Sequence, residues 1–173
     1  MFLGIVVIFT LLFVYRRGRL DAGARSVMTV QIPVGELTQD AFEPFGRLLV
    51  PRQGESAEAR EEGFFDFFVP FVTRSRGWQI GYLVNRTKQA DRLERHPRTP
   101  EAFCPLSGRT VLLAVENPED LDSFSCYSLT HPVVFNPGVW HAVISLSSTS
   151  EILIVENQDV TDEFFRLRNT ITV

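Results

Sequence analysis

From residue 78 onward the chain is a series of short β-rich runs, none of them long enough for an ordinary helix. Segments 78–84, 93–96, 102–104, 110–115, 124–129, 133–135, 140–146 and 152–155 are dominated by branched, aromatic and other apolar residues. Turn-forming residues separate them: Ser107-Gly108, the stretch 117–122, and Asn136-Pro137-Gly138. Strands broken at intervals of roughly eight to twelve residues are the pattern of a sandwich or barrel, because each strand must turn back across a shared core. The class this predicts is all-β. Helical signals are confined to the two ends. A first strand over 28–34 leads into a short helix and turn over 37–46, and a helical segment is expected around 161–167.

With 173 residues the chain is one domain of ordinary size and can bury a real core. It is 45% hydrophobic and 22% charged, which excludes a disordered chain. The formal net charge of −4, with no basic cluster in the body, argues against a nucleic-acid partner. Lys88 is the one lysine among the 17 basic residues. Cys104 and Cys126 have neither disulfide-framework nor zinc-ligand spacing and read as apolar core thiols, as expected in a reducing compartment.

The start of the chain has two readings. Residues 1–15 are almost wholly apolar, and Arg16, Arg17 and Arg19 follow. The run is shorter than the ~20 residues of a membrane span and lacks the leading positive charge of a secretory signal. Residues 1–27 are then either an extension ahead of a true start at Met28, giving a cytoplasmic protein, or a short anchor through 2–15 with its arginines inside. Under both readings the functional domain is 28–173. Within it, 52–63 is polar and acidic, expected as a surface loop or short helix. The block Phe64, Phe65, Phe67, Phe68 and Phe71 reads either as a buried strand or as an edge or lid against a partner or pocket.

Chemistry concentrates in two places. Leu93-Glu94-Arg95-His96-Pro97 is followed by Glu101 and Gly108, and Asn136-Pro137-Gly138-Val139-Trp140-His141 answers it further on. On a strand, Glu94 and His96 at i and i+2 share a face, while Glu101 and His141 come from other strands. Two imidazoles and two carboxylates converging in a small barrel form a metal site, an acid/base site or a structural polar network. Burying such groups is costly unless they are paired or bound to metal, which favours a site. His131, before Pro132, reads as a turn histidine, with a ligand role as the alternative.

The spacing Glu94-x-His96-x4-Glu101-x6-Gly108, then Gly138-x2-His141, resembles the two motifs of the cupin superfamily, whose ligands bind a divalent metal. Glu94 stands where the first histidine of that pattern would be, and Asn136 where a proline would be. More finely, Leu93-Glu94-Arg95-His96-Pro97, Ala102-Phe103-x-Pro105 and Gly138-Val139-Trp140-His141 are similar to the ureidoglycolate lyase family. Asn85-Arg86 and Ala41-Phe42 with Phe45-Gly46 add to the likeness, which spans most of 28–157.

The resemblance implies a cupin barrel, usually a homodimer, that splits ureidoglycolate into glyoxylate and urea in allantoin breakdown. It implies Glu94, His96, Glu101 and His141 as pocket residues and ligands of a divalent metal such as Ni, Mn, Fe or Zn, with no organic cofactor. Glu94, His96 and His141 are the catalytic candidates. Asn85 and Arg86 are the candidates for substrate binding, since Arg95 should point to the opposite strand face. The chain departs from the pattern at Asn136 and Ala142, where relatives commonly carry histidine, and at Glu101, where glutamine is common. Two alternatives stay open: another metal-dependent cupin enzyme acting on a small hydroxy acid, and a non-catalytic cupin that binds a small carboxylate.

Overall fold

A computed structural model describes residues 27–173, so the apolar segment 2–15 and its two readings lie outside the described residues. In chain order the elements are β1 (Thr29–Gln31), β2 (Val34–Gly35), α1 (Gln39–Phe42), β3 (Gly46–Leu48), β4 (Ala59–Glu61) and β5 (Phe65–Phe67). β6 (Trp78–Asn85), β7 (Ala90–Arg95), β8 (Glu101–Ser107), β9 (Thr110–Val115) and β10 (Phe124–Ser128) follow. β11 (Val133–Phe135), β12 (Trp140–Ser145), β13 (Ser150–Asn157) and β14 (Glu163–Thr172) complete the fold. One sheet runs β1-β14-β7-β12-β9-β10-β2, a second runs β3-β11-β8-β13-β6, and β4 and β5 form a separate hairpin.

The unbroken apolar run of β9 explains how these sheets pack. Every residue of it is buried, as expected of a strand covered on both faces. Leu112 and Ala114 face a core shared with Phe103, Phe135 and Ile152 of the second sheet, and with Phe42 and Phe45. Val111, Leu113 and Val115 face a separate core with Leu93, Trp140, Ile144 and Ile171.

That second core exists because the larger sheet curls. The expected strand over 28–34 is two strands, since Pro33 has no N–H for a ladder. β1 pairs with β14 at one edge of the sheet, and β2 pairs with β10 at the other. Only Ile32 and Pro33 separate them in sequence. At about 3.5 Å of reach per residue, this short link draws the two edges together, with Val30 and Ile32 packed against the enclosed core. The result is a β-barrel.

The closing segment corrects one expectation. Residues 163–172 form strand β14, not a helix. Burial alternates along most of it, and Phe165, Leu167 and Ile171 reach the enclosed core. A period of two decides for a strand, and pairing with β7 supplies the backbone partners. The short helix α1 stands as expected, capped by Thr38, whose hydroxyl accepts from the Ala41 N–H.

The segment 52–63 is neither all loop nor helix, since it contains the exposed strand β4. Phe64 and Phe67 are exposed, which removes the buried-strand reading for them. Lys88 donates to the carbonyls of Ser145 and Ser147 and so has a structural use. No helix among the described residues is long and apolar enough to cross a membrane.

Candidate active site

Five strand ends meet at one mouth of the barrel. Glu94 near the end of β7 lies opposite His141 of β12 on one side and Phe164 of β14 on the other. Glu101, the first residue of β8, lies opposite Glu156 of β13. His96 follows directly after β7, and Asp162 comes just before β14.

Two glycines shape the strands that carry these residues, Gly108 at the far end of β8 and Gly138 at the mouth itself. Gly108 has φ +71°, and an added Cβ would sit 2.5 Å from the Thr149 carbonyl oxygen, so only glycine fits. Gly138 has φ +85°, and its N–H donates to the His96 carbonyl at 2.8 Å, tying the second motif to the first.

Glu101 is the hub. It is buried, as are both histidines. His96 Nε2 lies 2.8 Å from Glu101 Oε2, and His141 Nε2 lies 2.9 Å from the same oxygen. His96 Nδ1 is 3.1 Å from Asp162 Oδ1, and His96 Nε2 is 3.8 Å from Glu156 Oε2. His141 stacks on Phe135, with ring centroids 4.7 Å apart, and meets the edge of Phe103, so its ring plane is fixed by the core.

The histidine tautomer follows from one contact. His141 Nδ1 is 3.0 Å from the Val139 carbonyl oxygen, which can only accept, so Nδ1–H donates to it. A neutral ring then turns the lone pair of Nε2 inward, free for a metal, whereas a protonated ring donates from Nε2 to Glu101. His141 Nε2 is buried without a well-directed hydrogen-bond partner, as is His96 Nδ1. An oriented imidazole with an unused buried lone pair beside a carboxylate oxygen is the arrangement of a metal ligand.

His96, Glu101 and His141 form one such group, their ligand atoms all within 4.8 Å of one another, and Glu94, His96 and Asp162 form another. The four residues singled out by spacing are therefore divided between two groups that share His96. Four carboxylates around two imidazoles leave an excess of negative charge that a divalent cation would neutralise, so the residues fit a metal of mixed nitrogen and oxygen preference.

Electrostatics agree. Burial alone would raise the Glu101 carboxyl, but hydrogen bonds and charge from His141 and His96 outweigh it and hold the group down at about 2. Burial alone would lower His96, yet its hydrogen bond to Glu101 and the neighbouring carboxylates carry it up to about 9. Glu94 is pushed above the usual carboxylate value by burial and by the charge of Glu101. Glu156 is raised mainly by burial, against the hydrogen bond donated by Gln79.

A cavity of about 500 Å³ opens beside this cluster, lined by Glu94, Glu101 and His141 together with Arg92, Arg166 and Phe103. His96 does not line it and sits behind Glu101. Neither substrate-binding candidate faces it. Asn85 is buried, and its Oδ1 accepts from the Thr87 N–H. Arg86 is exposed and outside the lining. Arg95 points to the opposite face, where it pairs with Glu163 and covers the Trp140 ring. His131 is exposed, beside the Thr130 hydroxyl.

Of the departures, Asn136 is exposed, whereas Ala142 lines the cavity and leaves room where a histidine would project. Spacing missed Glu156 and Asp162. A carboxylate facing Glu101 across β8 and β13 has no local signal, and Asp162 fell in the segment read as helical.

The fold and the site define a small β-barrel protein with two buried histidines and a buried carboxylate gathered at its mouth. Within that class the chain belongs to the ureidoglycolate lyase family, whose model matches residues 29–169. It is 30% identical over 149 residues to the ureidoglycolate lyase of Brucella anthropi, covering 75% of this chain and 86% of that one. It is 24% identical over 146 residues to ureidoglycolate lyase 2 of Rhizobium meliloti, covering 73% and 86%. Solved structures are more distant. A dTDP sugar isomerase from Desulfovibrio desulfuricans gives a TM-score of 0.38 at 14% identity over 70% of this chain and 81% of that one. An oxalate decarboxylase from Bacillus subtilis gives 0.39 at 14%, over 53% and 24%.

Proposed function

We infer that this protein is a lyase that splits ureidoglycolate into glyoxylate and urea, as a step of allantoin breakdown. The observation that carries the reading is the family match over 29–169, which takes in both sheets and every residue of the mouth cluster. The chemistry of the cavity supports it.

Ureidoglycolate is a carbinolamide, and its cleavage moves one proton. The hydroxyl O–H breaks, its oxygen becomes the carbonyl of glyoxylate, the C–N bond breaks, and its electron pair leaves on the urea nitrogen. That nitrogen needs a proton, so a single group can take it from oxygen and return it to nitrogen. Glu94 is the residue for this transfer. It lines the cavity, whereas Glu101 is already engaged by two imidazoles. His96, Glu101 and His141 would hold the divalent metal, which when bound polarises the substrate hydroxyl and lowers its pKa. Phe103 and Phe135 fix His141, and Asp162 fixes His96 from behind. The protein works as a homodimer, a reading supported by an exposed apolar face on β6.

The test is glyoxylate release from ureidoglycolate by the full chain, after chelation and after adding back Ni, Mn, Fe or Zn one at a time. Release above the spontaneous rate with at least one metal, lost in Glu94→Gln and His141→Ala, is expected. Spontaneous release only, under every metal, would overturn the reading.

A further inference from the structure

The cavity wall opposite the apolar side carries two arginines that the reaction scheme above has not used. β7 and β14 run antiparallel with Arg92 directly across from Arg166, just as Glu94 lies across from Phe164. Steps of two place Arg92 beside Glu94 and Arg166 beside Phe164 on one face. Both arginines line the cavity that also holds Glu94, Glu101 and His141. The Arg92 guanidinium lies 4.5 Å above the Phe164 ring, which steadies the side chain.

Like charges directly opposite on neighbouring strands repel. Such a pair is ordinarily relieved by an acid, and β7 itself shows how: Arg95, three residues on, is paired with Glu163. Among the described residues neither Arg92 nor Arg166 has a carboxylate within salt-bridge distance, although Asp91 also borders the cavity. Two exposed cations at directly opposed strand positions on a cavity wall, beside a cluster of carboxylates that would repel an anion, make sense if they receive one.

We propose that Arg92 and Arg166 form the carboxylate-binding subsite of this cavity, and that its ligands are small 2-hydroxy carboxylates. This rests on the lyase reading for its substrate but not for its geometry. The planar guanidinium matches a carboxylate through two parallel N–H···O contacts. With the carboxylate there, the adjacent carbinol carbon faces Glu94, one step of two along β7. All three arginines are exposed, but Arg86, which the sequence favoured for this task, lies away from the lining that holds Arg92 and Arg166.

The experiment pairs a kinetic arm with a binding arm on the metal-loaded full chain. Arg92→Met and Arg166→Met should each raise KM for ureidoglycolate roughly ten- to a hundredfold, the effect of one lost charged hydrogen-bonding group, while kcat falls less. Arg86→Met should change neither. Lysine at either position should recover part of the loss. The uncharged methyl ester of ureidoglycolate should be handled alike by wild type and variants, which a merely structural role would not produce.

The binding arm is calorimetric titration with glycolate. Binding by wild type and by Arg86→Met, and none by Arg92→Met/Arg166→Met, is expected. A double variant that binds glycolate like wild type, or a wild type that does not bind it, overturns the subsite. Absence of ureidoglycolate cleavage with glycolate binding retained would instead sink the lyase reading and leave the subsite standing.

Discussion

Glu101 carries the electrostatics of the mouth, and its removal has a sign that can be worked out. In metal-free protein His96 is raised from 6.5 to about 9. The stability it contributes is complete below pH 6.5 and is lost as pH rises from there through 9. Glu101 is lowered from 4.5 to about 2, so its contribution is present above pH 4.5 and is lost as pH falls toward 2. Urea unfolding of the chelated chain should therefore show greatest stability from this pair between about pH 4.5 and 6.5, with a decline on the alkaline side. Glu101→Gln should flatten that decline, because His96 loses its first partner. Added metal should also remove it, because a metal takes the neutral imidazole. An alkaline limb equally steep in Glu101→Gln would contradict the assignment.

The residues of this hub were legible in the sequence for a physical reason. Glu94 and His96 share a face through a period of two, and Gly108 and Gly138 mark the turns that must precede a return to the mouth. Glu156 and Asp162 were not legible. Their places depend on which strands pair across the barrel, and pairing between β8 and β13 leaves no trace in local spacing.

At the scale of elements, β14 is the clearest test of the architecture, because its sequence supports two readings. A helix over 161–167 would put Phe164 and Leu167 on one side at i and i+3. The strand puts Phe165, Leu167 and Ile171 on the core side and leaves Phe164 and Arg166 on the other. Ile171 is fully buried and pairs with Ala90 beyond a break in the β7–β14 register. Ile171→Ala should cost about 2–5 kcal/mol, as for other buried aliphatic truncations. Phe164→Ala, at an exposed position, should cost far less, though the change also frees Arg92.

Denaturant midpoints at constant m-value would measure both. A cost at Ile171 below about 1 kcal/mol would mean that β14 does not close the core, since surface changes stay near 0.5 kcal/mol. The helix expectation failed because a window of seven residues was too short to separate periods of 3.6 and 2. The full ten-residue strand, read with its partner β7, separates them. Likewise 28–34 looked like one strand, because nothing local says that Pro33 sends its two halves to opposite edges of a sheet.

At the scale of the molecule, the two sheets solve the edge problem differently. The larger sheet draws its edges together through the 29–35 segment. The smaller sheet stays open at β6, an eight-residue strand at its margin. On that strand Gln79, Gly81, Leu83 and Asn85 alternate with Trp78, Ile80, Tyr82 and Val84, which are 66%, 55%, 58% and 38% exposed. A long apolar edge strand is a site for further pairing unless something covers it, and a patch of this kind seldom stands free on a soluble monomer. A second copy of the chain docking the same strand would cover both patches at once through a two-fold interface.

Light scattering behind size exclusion should then give twice the chain mass at micromolar concentration. Ile80→Lys/Tyr82→Lys, which changes only outward positions, should give the single-chain mass with its circular dichroism unchanged. Leu83 of the same strand lines the cavity, so separation should also raise KM for ureidoglycolate if the partner braces β6. A wild type of single-chain mass would overturn the dimer, and a double-lysine variant that stays paired would move the interface to another face.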